Sequence, residues 1–320
     1  MRILMTAVVM CVGLVSVWAG GGKFNSPSPN SGSTKSKTAS NPVSSGSNLK
    51  AGKGDNQKAV PVEGKDFEFE LKIGLGLFSS RTIPVKMKWI PAGTFQMGST
   101  AATDPDRGDS ETLHTVTLTK GYWMLETEVT QEMYYTVMGQ GRGTARFEDL
   151  KNPMEMVSWY DASDFCRDIG KNSQLATHFD LSGFEFRLPT EAEWEYACRA
   201  GTTTAVYVNY GDRNKELDAI AWYDWNSGNA TRNVRQKLPN AWGLYDMIGN
   251  LWEWCSDWYG AYPSGSVTNP TGPNSGEKRV VRGGNWRNSA NFMRSAKRGT
   301  GVPGERDFYV GFRPVLSRVP

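Results

Sequence analysis

Histidine and cysteine are scarce in this chain, with 2 and 4 among 320 residues. The two histidines, His114 and His178, lie far apart with no liganding pattern around them. Each reads as a satisfied or solvent-facing imidazole, and no histidine-built iron or zinc centre is expected. An excess of one charge is missing too: the formal net charge is +3, with basic and acidic residues interspersed. That distribution leaves no electrostatic footprint for nucleic acid. A GxSxG elbow, a phosphate-cradling glycine loop ahead of a helix and an HExxH pair are all absent, which removes common signatures of hydrolases, NTP-binding enzymes and zinc proteases. Glu191 and Glu193 are close together, but in the first turn of an expected helix, where capping and the helix dipole explain them.

Long apolar runs do not occur beyond the first residues. Residues 1–19 have one early Arg, an apolar centre through Val17 and a Val-Trp-Ala ending; this run falls short of a membrane span and reads as an export signal. Cys11 lies inside it, so lipidation there and cleavage after Ala19 are competing fates, and a lipid anchor is the only route to a membrane. Either fate places the protein outside the cytoplasm, at the cell surface or in the periplasm. Cys166, Cys198 and Cys255 then meet an oxidising compartment, and three thiols allow at most one internal disulfide, of unassigned pairing. Residues 20–64 are Gly, Ser, Asn, Lys and Pro with almost no large apolar side chain. Such a composition cannot offset ordering entropy, so a flexible tether is expected. Residues 65–320 suffice for one large domain with a sizeable core, expected to be monomeric.

Within that domain, Phe67–Ile73 and His114–Thr119 alternate apolar and polar residues as half-buried strands do, Val85–Ile90 does so less cleanly, and Pro91 and Gly93 turn the chain into a further short strand. Asp104–Thr112 is polar and acidic and reads as a surface loop. Tyr122–Thr130 reads as a strand entering a helix capped by Thr130, with Glu132 in its first turn. Ser158 and Thr190 are further N-caps, the latter ahead of a helix with Trp194, Ala197 and Cys198 on its apolar face. Two helices against scattered strands, joined by long Gly- and Asn-rich connections, indicate an α+β domain of low regular content.

The most aromatic stretch, Asn240–Gly260, holds Trp242, Trp252, Trp254 and Trp258. Its stem sets the carboxylates of Asp246 and Glu253 on either side of a glycine turn with backbone carbonyls between them, an oxygen-ligand supply suited to calcium. Turn capping around a tryptophan core would use the same residue types, and residue types alone leave both readings open.

Seven segments in order, IPAGTFQMGS, EVTQEMY, NPMEMVSWYDASDFC, FRLPTEAEWEYACRAG, NAWGLYDMIGNLWEWCSDWYG, RVVRGGNWRNSANFMRSAKR and GFRP, resemble signatures of the formylglycine-generating enzyme, or sulfatase-modifying factor, family. The resemblance runs over about residues 85–316. It implies a C-type lectin-like fold with two helices, small twisted antiparallel sheets and long ordered loops. It also implies a structural calcium held by the side chains of Asp246 and Glu253 with the carbonyls of Gly249 and Leu251, Asp standing where the family has Asn. A second family calcium site falls where this chain is shortened, around Asp224–Asn240, and is not carried over.

The family's oxidase chemistry needs two cysteine thiolates for copper. Those positions are Asn288 and Met293 here, and an amide with a thioether cannot replace them. Copper is not expected, nor is the iron of the family's thiohistidine-forming branch, and the chain reads as a non-enzyme.

A third branch, the variable proteins of bacterial diversity-generating retroelements, resembles the C-terminal segment most closely. There the resemblance implies a frame of Arg279-Val280, Arg282-Gly283-Gly284, Trp286, Arg294-Ser295-Ala296, Arg298 and Gly311-Phe312-Arg313. Between frame residues lie Arg287, Asn288, Ser289, Asn291, Phe292, Thr300, Val302, Glu305, Arg306, Asp307, Phe308 and Tyr309. With Trp286, these form the expected recognition surface for a protein or glycan ligand, since aromatic and Arg side chains dominate such surfaces. The competing readings are a catalytically silent accessory member and an oxidase with an unrecognised metal site.

Overall fold

The computed structural model describes residues 49–50, 58–74, 80–139, 144–172, 179–209 and 211–319, all within the unit Ser45–Pro320. The expected export signal, Cys11 and His178 lie outside the described residues. Ordered chain begins before residue 65: Ala59 bridges Phe179, and Glu63 pairs with Arg318.

Alternation of apolar and polar residues does place strands as expected. In β2 (Phe67–Gly74), Phe67, Phe69 and Leu71 are buried, and the strand pairs antiparallel with β3 (Ser80–Ile90) along its whole length. β1 (Leu49–Lys50) adds in parallel at one edge. On the other side follow β6 (Tyr122–Leu125), β13 (Val315–Arg318) and β7 (Phe184–Arg187), giving a six-stranded order β1-β2-β3-β6-β13-β7. The last strand of the chain thus lies inside the sheet, between two strands from much earlier in the sequence. A second sheet, β11-β10-β8-β12, is built from β8 (Trp252–Trp258), β10 (Arg279–Arg282), β11 (Arg298–Gly301) and β12 (Val310–Gly311). The third, β4-β5-β9, uses β4 (Gly93–Met97), β5 (His114–Leu118) and β9 (Val267–Thr268). Three pairings are parallel, so the sheets are mixed rather than purely antiparallel.

Among the described residues there are four helices, not two. α1 (Gln131–Met138) is capped by Thr130, whose side chain accepts from the Met133 amide. α2 (Trp159–Gly170) and α3 (Glu191–Arg199) start with capping boxes, Ser158 with Asp161 and Thr190 with Glu193, satisfying amides that the helix itself leaves open. The additional α4 (Arg213–Ile220) is capped by Asp212. Every residue of α3 is buried. Its glutamates therefore need partners: Glu193 closes the capping box and pairs with Arg187, whereas Glu191 and Glu195 receive arginines from the C-terminal segment.

Two apolar clusters form the core. One gathers β2, β3, α1 and α2 around Phe165, Tyr134, Trp254 and Phe312; the other surrounds α3, with Trp194, Leu217, Met247 and Met293. Cys166, Cys198 and Cys255 are buried and unpaired, so no disulfide joins them. His114 is buried, with Nδ1 2.9 Å from the Thr112 carbonyl, a satisfied imidazole.

Between the clusters runs a set of buried ion pairs. Arg282 bonds Glu191 and Glu195 at 2.7 Å each, Arg298 takes both oxygens of Glu191, and Arg294 holds Asp104 and Glu111. Asp104 and Glu111 are each 1% exposed, so the acidic stretch 104–112 is a surface loop, as expected, but one pinned inward at these two side chains while residues 105, 106, 109, 110 and 112 face solvent. Removing one member of such a pair strands a buried charge. Arg282→Ala is expected to cost about 3–5 kcal/mol in chemical denaturation, whereas Arg167→Ala, which breaks exposed pairs with Asp164 and Asp168, is expected to leave the denaturation midpoint nearly unchanged.

Candidate functional site

The segment from Arg282 to Arg313 leaves the second sheet, forms two loops and returns. Gly283 and Gly284 take φ of 98° and 78°, a region that only glycine enters cheaply. A Cβ on Gly284 would come within 2.4 Å of Met293 Cε. The first loop is then held from below: Asn285 Oδ1 accepts from the amides of Arg287 and Asn288, Trp286 N donates to the Asn250 carbonyl, and the Trp286 ring is buried against Phe147, Phe308 and Tyr309. Arg294 and Arg298 anchor the middle as described above. Arg313 closes the segment, bonding Glu253 and the carbonyls of Leu125, Glu126 and Tyr245.

Frame and intervening residues therefore separate by exposure. Arg282, Gly283, Gly284, Trp286, Arg294, Ser295, Ala296, Arg298, Gly311, Phe312 and Arg313 are buried. Arg287, Ser289, Asn291, Thr300, Val302, Glu305, Arg306 and Asp307 are exposed, and Asn288, Phe292, Phe308 and Tyr309 are half-buried. Trp286 is the correction. It was expected among contact residues, yet at 4% exposure it is the floor on which Phe308 and Tyr309 rest.

Residues outside this segment join the same surface. Exposed Arg146 and half-buried Phe147 pack on Phe308 and Trp286. Trp225, 81% exposed, belongs to a loop tied on by Asp224 N to the Asn288 carbonyl and by Ser227 Oγ to the Trp286 carbonyl. A sequence pattern confined to residues 279–313 could not find them; the one local signal was an unneeded tryptophan amid Asp and Asn.

Asn288 and Met293 stand where copper would need thiolates, and Met293 is wholly buried. At the expected calcium ligands, Asp246 Oδ2 accepts from the Arg235 amide, while Asp246 Oδ1 is buried and has no partner among the described residues. Burial pushes the Asp246 carboxyl up to about 6. Glu253 accepts from Arg313 and from Trp194 Nε1 at 2.8 Å. Nearby Glu128 accepts from Leu251 N and Asn250 Nδ2, and burial, then Asp246 and Glu253, raise its carboxyl well above the usual range. Three acidic side chains thus lie around Arg313, and one buried carboxylate oxygen, Asp246 Oδ1, is left unsatisfied. That donor set fits a hard cation. Among the described residues no three His, Cys, Asp or Glu side chains converge on one point, which a site completed by backbone carbonyls does not require. The open groove of about 430 Å³ beside Lys120, Arg187 and Arg318 lies away from these residues.

An α+β scaffold of this kind, with a pinned C-terminal segment, defines a C-type lectin-like domain. The chain belongs to the sulfatase-modifying factor enzyme 1-like domain family, whose model matches residues 78–318. Treponema denticola variable protein 1 is similar in structure, with a TM-score of 0.63 and 32% identity over 78% of this chain and 99% of that one. Mouse formylglycine-generating enzyme is 33% identical over 57% of this chain and 48% of its own length. Serine/threonine-protein kinase pkn1 of Chlamydia pneumoniae is 36% identical over 51% of this chain and 24% of its own. The chain thus spans between a quarter and a half of those two curated relatives.

One buried carboxyl of β8, beneath the frame, is pushed toward neutrality. Asp257 Oδ2 accepts from Glu191 N and Ser256 Oγ, and burial, then the Glu191 charge, push its carboxyl to about 7. A raised acid binds a proton in the fold that it has lost in the unfolded chain, so its contribution is full below about pH 4 and is lost as pH rises to about 7. Asp257→Asn keeps the acceptor and removes the titration. Its melting temperature relative to the parent should therefore rise between pH 4 and 7 and then level; a parallel shift at all pH values would contradict this.

Proposed function

We propose that this chain is an exported, surface-displayed, non-catalytic binding protein that meets its ligand through the loops of residues 285–310. The observation that carries the reading is the separation by exposure within residues 282–313: the arginines, glycines and small residues that the family pattern fixes there are buried, and of the twelve candidate contact residues between them eight are exposed and four half-buried. A frame ordered in advance spares a ligand the entropy of ordering the loops. Kinship with a variable protein at 32% identity supports the same reading, as do Asn288 and Met293 in place of thiolates. The apolar N-terminal run and the polar tether support display away from a surface, with a monomer as the unit.

Calcium is assigned a structural part in the wall beside these loops, held by Asp246 and Glu253 with the Gly249 and Leu251 carbonyls. When bound, it supplies positive charge to the carboxylate cluster around Arg313. Asp246 Oδ1, buried and unpaired, supports that assignment. Added calcium should raise the melting temperature, and EDTA should reverse the rise. Asp246→Ala should abolish the response, while a calcium-insensitive parent would remove the assignment.

Two measurements test the binding reading. In copies of this gene from related isolates, replacements should concentrate at positions such as 287, 289, 291, 300 and 302 and spare Arg282, Arg294, Arg298 and Arg313; an even spread over both sets would contradict it. Purified protein given copper, oxygen and a cysteine-containing sulfatase peptide should show no turnover above the metal blank.

A further inference from the structure

Two guanidinium groups flank the aromatic centre of the exposed loops. Arg146 lies 4.3 Å over the Phe308 ring, and Arg287 Nη1 donates to the Tyr309 hydroxyl at 2.6 Å; the two rings are 4.1 Å apart. Among the described residues neither guanidinium is within ion-pair distance of a carboxylate, whereas neighbouring Arg306 is bound to Asp161. Arg146 is also held in place from beneath. Buried Glu155 accepts through Oε1 from the amides of Arg146 and Phe147, and Met156, at φ 59°, donates its amide to the Asp307 carbonyl. The 144–156 loop is thereby stitched to the C-terminal loops.

An arginine stiffened by aromatic contact and not already ion-paired is a pre-set fork for a carboxylate or sulfate. The adjoining ring faces can take the C–H face of a sugar, and exposed Ser289, Asn291 and Thr300 offer donors and acceptors to hydroxyls. Trp225, 81% exposed, adds a further ring whose face is open to stacking. Glu148 and Glu305 are exposed on the same loops, so the surface is not uniformly basic and recognition depends on where the guanidinium groups stand.

We propose that this composite surface binds an acidic glycan, with its carboxylate or sulfate between Arg146 and Arg287 and its rings on Phe308 and Tyr309, Trp225 providing a further stacking face. The inference rests on the binding reading of residues 285–310 and adds to it two loops and a ligand class.

Calorimetric titration of the full chain at about 0.15 M salt with polygalacturonate, heparin, dextran and polyglutamate tests it. At least one acidic polysaccharide should bind and dextran should not. Arg146→Ala and Arg287→Ala should each weaken binding about tenfold or more, and Trp225→Ala should weaken it as well. Glu155→Ala should reduce affinity while Glu155→Gln, which keeps the acceptor, restores it. Lys120→Ala, in the separate groove, should leave affinity unchanged. Failure of both acidic polysaccharides to bind overturns the ligand class, and equal binding of polyglutamate overturns it in favour of an acidic peptide. Equal loss in Lys120→Ala reduces the effect to net charge and overturns the placed-arginine claim. Loss confined to Arg287→Ala removes the two added loops and leaves the C-terminal reading standing; that reading fails separately, through the pattern of replacements among gene copies.

Discussion

Buried arginine–carboxylate pairing is the constraint on which the rest of this fold depends. Arg282, Arg294 and Arg313 are 0% exposed, each in contact with at least one buried acid, and their partners come from three distant parts of the chain: Asp104 and Glu111, α3, and Glu253. Desolvating these ions is expensive, and buried pairs of this kind are often no more stabilising than apolar packing of the same volume. What they supply is geometry. A guanidinium bound on two edges fixes direction as well as distance, so four arginines spaced along one segment locate its backbone against helix, sheet and loop at once. Glu191 shows the balance: burial pushes its carboxyl up, yet Arg282 and Arg298 hold it below the usual range.

That rigidity sets the division of labour at the surface. With Gly283 and Gly284 turning the chain and Trp286 inserted as a floor, the exposed side chains at 287, 289, 291, 300, 302 and 305 make hydrogen bonds only within the loops, and they are free to serve contact. The loops carrying Arg146 and Trp225 are fixed to the same floor by hydrogen bonds to backbone atoms of 286, 288 and 307, so the surface is assembled from three stretches of chain. Beneath it, Glu128, Asp246 and Glu253 crowd around Arg313, and burial raises the carboxyls of Glu128 and Asp246. The aromatic stretch Asn240–Gly260 is therefore the wall behind the surface.

Much of this was legible in the sequence wherever the determinant is local. Strand alternation at Phe67 and His114, and the caps Thr130, Ser158 and Thr190, are decided within four residues, and each holds in the structure. Ordered motif resemblance supplied the fold and the frame, Arg294, Arg298 and Arg313 included. Non-local determinants were not legible. Asp104 and Glu111 look like a solvated loop until Arg294, 190 and 183 residues away, is placed beside them. α4 was missed because its burial of Leu217 and Ile220 depends on tertiary packing more than on period. Trp286 looked like a contact residue because it sits among candidate contact residues, and only its burial against Phe147 shows otherwise.

Simultaneous replacement of Arg287, Ser289, Asn291, Thr300, Val302 and Glu305 by alanine, followed by thermal unfolding, tests most directly whether the buried frame alone holds these loops. With each exposed change costing no more than about 0.5 kcal/mol, the melting temperature should stay within a few degrees of the parent. A fall as large as that caused by Arg294→Ala alone would show that the exposed residues are part of the frame, and would contradict the separation of scaffold from surface.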